Sequence, residues 1–218
     1  MSSLVTVEQL EKFTPNFLEK AAEEAFILRD YPPYNDGMAL THDFAYVATD
    51  TTNHDGYLCI EPVRIAEADE AFREEAPALH EIIATLQTMP SSFGTTIPAR
   101  NPHIILNFSQ PGGLVSRHID SGSNARNWIG RCLSLTSTGL IRFYADMDST
   151  DIMNEVPVRT GDITNHFNHA NKNQRYAHDI VNTGIETRVS IGLLVALKAG
   201  IMGRQRAEQQ TAHATLTV

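Results

Sequence analysis

The chain has 218 residues, 42% of them hydrophobic and 20% charged, and a formal net charge of −9. That length supports a full core and that composition excludes global disorder, while the acidic balance argues against nucleic acid as a default partner, since phosphates call for a basic face. Cys59 and Cys132 form neither a disulfide framework nor a zinc pattern, the N-terminus lacks the features of a signal peptide, and no apolar run approaches the about 20 residues of a spanning helix. The expectation is a cytoplasmic protein with no membrane partner, built as one domain over 1–218.

The first predicted element is a helix over about 7–29. Leu10, Phe13, Phe17 and Leu18 recur at three- and four-residue steps, and Ala21, Ala25 and Leu28 continue the stripe. Thr14-Pro15 splits it, with Thr14 as a cap and Pro15 at the first helical position. Residues 31–64 read as loops holding two short strands, FAYVAT and GYLCIEPV. Tyr31, Tyr34 and the stretch THDFAYVATD are lid candidates. A second helix is expected over 66–88, acidic in its first half, broken or kinked at Pro77 and ended by MPSSFG.

From about residue 102 the pattern changes. HIILNF, LVSRHI, CLSLTS, LIRFYA, EVPVR, DITNHF, AHDIVN and RVSIGLLVAL follow one another with turn residues between them. Such a series predicts a β-sandwich or barrel rather than a βαβ sheet. The fold class is therefore mostly β: a two-sheet jelly roll with the N-terminal helices packed outside it. Residues 1–100 supply helical support and loops, 101–200 the β core, and 201–218 a polar tail.

RHIDSG, residues 117–122, carries the chemistry. Positions i and i+2 of a strand share a face, roughly 7 Å apart, so His118 and Asp120 point together. A carboxylate beside an imidazole suits a divalent metal of borderline character, and two histidines with one carboxylate on one octahedral face suit Fe(II). His166, His169 and His178 are the downstream candidates for the third ligand. Arg188 and Ser190 share one face of the last strand, opposite Val189, Ile191 and Leu193. A guanidinium and a hydroxyl on an otherwise apolar strand need an anionic partner or water, and arginine holds a carboxylate with two parallel bonds.

His118-x-Asp120 with His178 and Arg188 resembles the Fe(II)/2-oxoglutarate-dependent dioxygenases, over about residues 103–198. Within that superfamily the chain looks most like the aspartyl/asparaginyl β-hydroxylases and their free-amino-acid (proline) hydroxylase relatives. The shared features are Pro111-Gly112 before the first ligand, Arg131 opening the next strand, Gly161-Asp162 before the sixth, and HDIVN at 178–182 followed by Arg188. Two features depart from that group. Asp120 is present where some β-hydroxylases lack a carboxylate, and the family's R-x-H pair reads Arg131-Cys132-Leu133.

The resemblance implies a double-stranded β-helix of the cupin-like kind. It implies Fe(II) bound by His118, Asp120 and His178, and 2-oxoglutarate as cosubstrate, its distal carboxylate held by Arg188 with Ser190. Arg131 and Asn107 join the cosubstrate-binding set. O2 is the oxidant and ascorbate an accessory reductant. Arg126, Asn127 and Trp128 are expected at the substrate entrance, and His166 against the substrate. Asp120 fills the position that related halogenases leave to chloride, which favours hydroxylation. The implied function is hydroxylation of an unactivated C–H bond in a small molecule, a free amino acid or a peptide side chain. A nucleic-acid base demethylase with the same chemistry and a non-catalytic cupin-like binding module are the alternatives.

Overall fold

A computed structural model describes residues 5–30, 44–47, 57–60, 73–90, 93, 96–97, 104–120, 128–168 and 175–197. Its strands are β1 (Val5–Glu8), β2 (Phe44–Val47), β3 (Tyr57–Ile60), β4 (Thr96–Ile97), β5 (Ile104–Ser109), β6 (Leu114–His118), β7 (Trp128–Ser134), β8 (Gly139–Tyr144), β9 (Ile152–Val158), β10 (Ile163–Asn168), β11 (Ala177–Asn182) and β12 (Arg188–Leu197). Among the described residues, the two longer helices before the main β region are α1 (Pro15–Asp30) and α2 (Pro77–Thr88).

The strands form two antiparallel sheets. The major sheet runs β1-β10-β7-β12-β5-β3-β2, with β4 also on β12, and the minor sheet runs β6-β11-β8-β9. The eight strands predicted from residue 102 onward are β5 to β12. They divide evenly between the sheets, β5, β7, β10 and β12 in one and β6, β8, β9 and β11 in the other. This is a double-stranded β-helix, the jelly roll that the strand series predicts.

Alternation decides which face of the major sheet is apolar. Leu106, Phe108, Leu133, Ile163, Val189, Ile191, Leu193 and Val195 are buried together with helix residues Leu18, Ala21, Ala25, Leu79, Ile82 and Leu86. The helices thus cover the outer face, and the inner face is left to small and polar residues. Cutting one of these aliphatic side chains to alanine costs about 2–5 kcal/mol, from lost burial and the cavity left behind. A smaller apolar cluster of Val115, Ile141, Phe143, Val158 and Ile180 lines the interior on the minor-sheet side.

The helices differ from expectation at their starts. Residues 7 and 8, predicted as helix, belong to β1, whose β-branched Val5-Thr6-Val7 pairs along β10 at the end of the major sheet. Helix α1 begins at Pro15, and Thr14 Oγ1 accepts from the Phe17 amide at 3.4 Å, as the cap reading requires. Helix α2 begins at Pro77 after a turn of helix at 73–75. The expected stretch 66–72, Tyr31, Tyr34 and the tail 201–218 lie outside the described residues.

Ala76, at the N-cap of α2, has no side-chain oxygen to offer. The cap comes from α1 instead: buried Glu24 accepts from the amides of Ala78 at 3.1 Å and Leu79 at 2.9 Å. A carboxylate at a helix N-terminus also meets the positive end of the dipole.

Candidate metal centre

The register of the minor sheet assembles the site. His178 of β11 lies directly opposite His118, the last residue of β6, and the pairing shifts between His178 and Ile180. A bulge of this kind re-aims a side chain while the rest of the ladder continues. The two rings come within 4.3 Å, centre to centre, tilted by 56°. Asp120 follows two residues after β6, and its main-chain carbonyl accepts from Arg175 at 2.9 Å. One ligand atom from each of His118, Asp120 and His178 lies within 4.8 Å of the other two.

Electrostatics prepare these donors. Burial alone would raise the Asp120 pKa. The hydrogen bond from His166 and the positive fields of His178, His166 and His118 outweigh burial and hold the carboxyl well below its ordinary range. His178 is pushed down to about 3, first by burial and then by the neighbouring imidazoles, against the opposing pull of Asp120. Near neutral pH the site therefore offers an ionised carboxylate and a neutral imidazole, the protonation states a divalent metal requires. Two nitrogens and an oxygen from these side chains fit such an ion in composition and in spacing.

His166 joins the cluster from the major sheet. Its Nε2–H donates to Asp120 Oδ2 at 2.7 Å, and its ring stands 4.9 Å from that of His178. It sits opposite Gly130 of β7, and a Cβ there would stand only 2.2 Å from the ring. Asn168, two residues further on the same face of β10, donates to the same Oδ2 at 3.3 Å. Asn168 and Arg175 escaped the sequence reading. Period-2 spacing from His166 would have found Asn168, whereas Arg175 precedes β11 with no pattern around it.

The described residues enclose a cavity of about 180 Å³ beside this cluster, bordered by His118, Asp120, His166, His178, Asn107 and Cys132. That is below the roughly 300–1,000 Å³ typical of drug-sized pockets. Asn107 borders it from β5, the strand before β6.

Arg188 and Ser190 lie on the face of β12 that also carries Gly192, which borders the cavity. Both are buried. The guanidinium donates to Ser190 Oγ at 3.1 Å and Ser134 Oγ at 2.9 Å, and its Nε has no partner. Among the described residues it donates to hydroxyls rather than to a carboxylate. Gly139 of the minor sheet leaves room for it, since a Cβ there would meet Arg188 Nε at 2.8 Å.

Arg131 departs from the expected cosubstrate set. It follows Gly130, so alternation turns its side chain to the opposite face from His166. Its Nε donates to Asn165 at 2.8 Å and Nη1 donates to the Leu86 carbonyl in α2. Burial lowers its pKa to about 10, partly opposed by Glu8. Residue 131 borders the cavity, but its charge is directed under the helix. Trp128 opens β7 opposite Asn168, on the face that bears His166, though it does not border the cavity. Arg126, Asn127 and His169 lie outside the described residues.

No protein-family model matches the chain, and no curated protein matches it in sequence. Solved structures do match in shape. A prolyl hydroxylase from Trichoplax adhaerens, in complex with a hypoxia inducible factor oxygen degradation domain peptide fragment, aligns with a TM-score of 0.50 at 12% identity, over 89% of this chain and 84% of that one. The chain shares that fold. A prolyl-4-hydroxylase from Pseudomonas putida aligns over 89% of this chain and 92% of its own, with a TM-score of 0.46 at 11% identity. A ribosomal oxygenase from Escherichia coli covers 74% of this chain and 36% of its own, at 15% identity and a TM-score of 0.37. Within this double-stranded β-helix, the three candidate ligands come from the minor-sheet side and the fourth polar side chain, His166, from the major sheet.

Proposed function

We propose that the chain is an Fe(II)- and 2-oxoglutarate-dependent oxygenase that hydroxylates a C–H bond of a free amino acid, another small molecule or a peptide side chain. The observation that carries the reading is the convergence of His118, Asp120 and His178 at the wall of a small cavity. Iron held by these three would supply oxygen activation and C–H oxidation.

The remaining roles fall to the chain itself. His178 keeps a lone pair free at neutral pH because burial keeps it neutral. His166 and Asn168 hold Asp120 in place. Arg188, a buried cation whose partners are two serine hydroxyls, is assigned the distal carboxylate of 2-oxoglutarate, with Ser190 and Ser134 fixing the plane of the guanidinium. Val115, Ile141 and Ile180 wall the cavity on the minor-sheet side and keep it dry. The placement closest to the aspartyl/asparaginyl β-hydroxylases rests on the HDIVN segment with Arg188, and it motivates the choice of amino-acid and peptide substrates.

Anaerobic addition of Fe(II) and 2-oxoglutarate should produce a weak visible charge-transfer band, which His118→Ala loses. Wild-type protein that shows neither the band nor succinate formation in air refutes the proposal. Substrate class is read from which compounds stimulate 2-oxoglutarate turnover; stimulation by DNA or RNA alone would replace the amino-acid reading.

A further inference from the structure

The two oxygens of Asp120 have different neighbours. Oδ1 faces His118 Nε2 at 3.7 Å. Oδ2 accepts from His166 Nε2 at 2.7 Å and from Asn168 Nδ2 at 3.3 Å. Two donors on one oxygen leave the other as the free acceptor facing His118. We infer that His166 is a positioning residue that commits Asp120 to a single metal-facing oxygen, Oδ1, and that Gly130 exists to admit its ring.

The inference rests on the metal-centre reading above and adds a part to it. His166 stands outside the set of three whose ligand atoms lie within 4.8 Å of one another, and its Nε2 is engaged by Asp120. It therefore acts on the metal through the carboxylate. Freed from His166, a carboxylate can turn and bind a metal through both oxygens, taking a position that substrate or oxygen needs. Held by His166, it would bind through one. The hold depends on Gly130: a Cβ would stand 2.2 Å from Cε1 and 2.4 Å from Nε2 of the ring, closer than any packing allows. A side chain at 130 must push the imidazole away from β7 and off Asp120. Such outer partners of ligands typically change metal affinity 10–100-fold.

The test uses the full chain, stripped of metal and titrated with Co(II), whose visible spectrum reports coordination. His166→Ala should bind Co(II) 10–100-fold more weakly and with a changed visible spectrum. His166→Gln, which keeps an N–H donor, should recover most of the affinity and the wild-type spectrum. Gly130→Ala should reproduce the His166→Ala spectrum with the imidazole still present in the chain, and the double variant should bind no more weakly than His166→Ala alone. Thermal melts identify any variant that fails to fold, and His166→Gln with Gly130→Ala then carry the comparison. Equal affinity and an unchanged spectrum in His166→Ala overturn the inference. So does X-ray absorption showing three imidazoles on the metal in wild type, which would make His166 a ligand. Wild-type protein that binds no Co(II), or His118→Ala that binds it equally well, removes the metal centre itself, an outcome distinct from both.

Discussion

His178 makes a quantitative prediction about the metal-free protein. Its pKa is about 3 in the folded state and 6.5 in the unfolded chain. A depressed folded value means that the unfolded state takes up the proton first. The stability this group contributes is whole above pH 6.5 and is lost progressively as pH falls toward 3. At pH 5 the unfolded histidine is protonated and the folded one is not, which costs about 2 kcal/mol relative to pH 7.5, and the full loss below pH 3 is about 5 kcal/mol. Asp120 has the same sign, but its window opens only below the ordinary carboxylate pKa of 3.8. Between pH 7.5 and pH 5 His178 therefore acts without it. The comparison is urea unfolding in chelator at both pH values, wild type against His178→Gln. Other titrating groups act equally in both proteins and cancel in the difference. The stability gap between wild type and variant should narrow by about 2 kcal/mol on going to pH 5. A gap that stays constant would show that His178 is not held neutral by burial.

Glu24→Ala should destabilise the protein by about 1–3 kcal/mol in a thermal or urea melt, because the Ala78 and Leu79 amides lose their acceptor inside the fold; Glu24→Gln keeps one oxygen and should cost less. Arg188→Met removes a buried charge, so the free protein should melt at the same temperature or higher, while affinity for 2-oxoglutarate, read as KM or as ligand-induced stabilisation, should fall at least about 30-fold, from roughly 2 kcal/mol or more of lost charge pairing. Arg131→Met should leave the KM for 2-oxoglutarate unchanged and alter only the melt, since its guanidinium binds Leu86 and Asn165. Equal KM effects at 131 and 188 would refute the division of labour between the two arginines.

Much of the fold was legible because β5 to β12 each carry a local signature. Short runs with period-2 alternation stand between turn residues, and the pattern does not depend on distant partners. The face assignment in β12 is the clearest case. Val189, Ile191 and Leu193 point to the helices, and Arg188 and Ser190 point inward, as alternation alone requires. The N-terminal region read less well. Val5-Thr6-Val7-Glu8 is too short to assert strand against a neighbouring helical stripe, and only its pairing with β10 decides the matter. The cap of α2 was invisible for a similar reason. Ala76-Pro77 shows a helix start with no acceptor, and the missing oxygen comes from Glu24 on another helix.

The candidate site divides along the same line. His118, Asp120 and His178 could be named from spacing and resemblance because His118 and His178 sit on strands whose faces are readable and Asp120 follows two residues after the end of β6. Arg131 joined the cosubstrate set through the resemblance, as the arginine that opens its strand, yet adjacent residues of a strand face opposite ways. Gly130 shows which way: the glycine lies under His166, so the next side chain must leave through the other face. The same glycine explains why His166 was hard to place. A histidine on β10 reads as a surface or substrate residue until its cross-strand neighbour is known. Once that neighbour is a glycine, the ring has space to lie flat across β7, and the oxygen in reach of its Nε2 is Asp120 Oδ2. The position of Asp120 is thus set from two sheets at once. His118 and the β6–β11 register bring it to the metal side, and His166 with Asn168 hold its second oxygen from the major sheet.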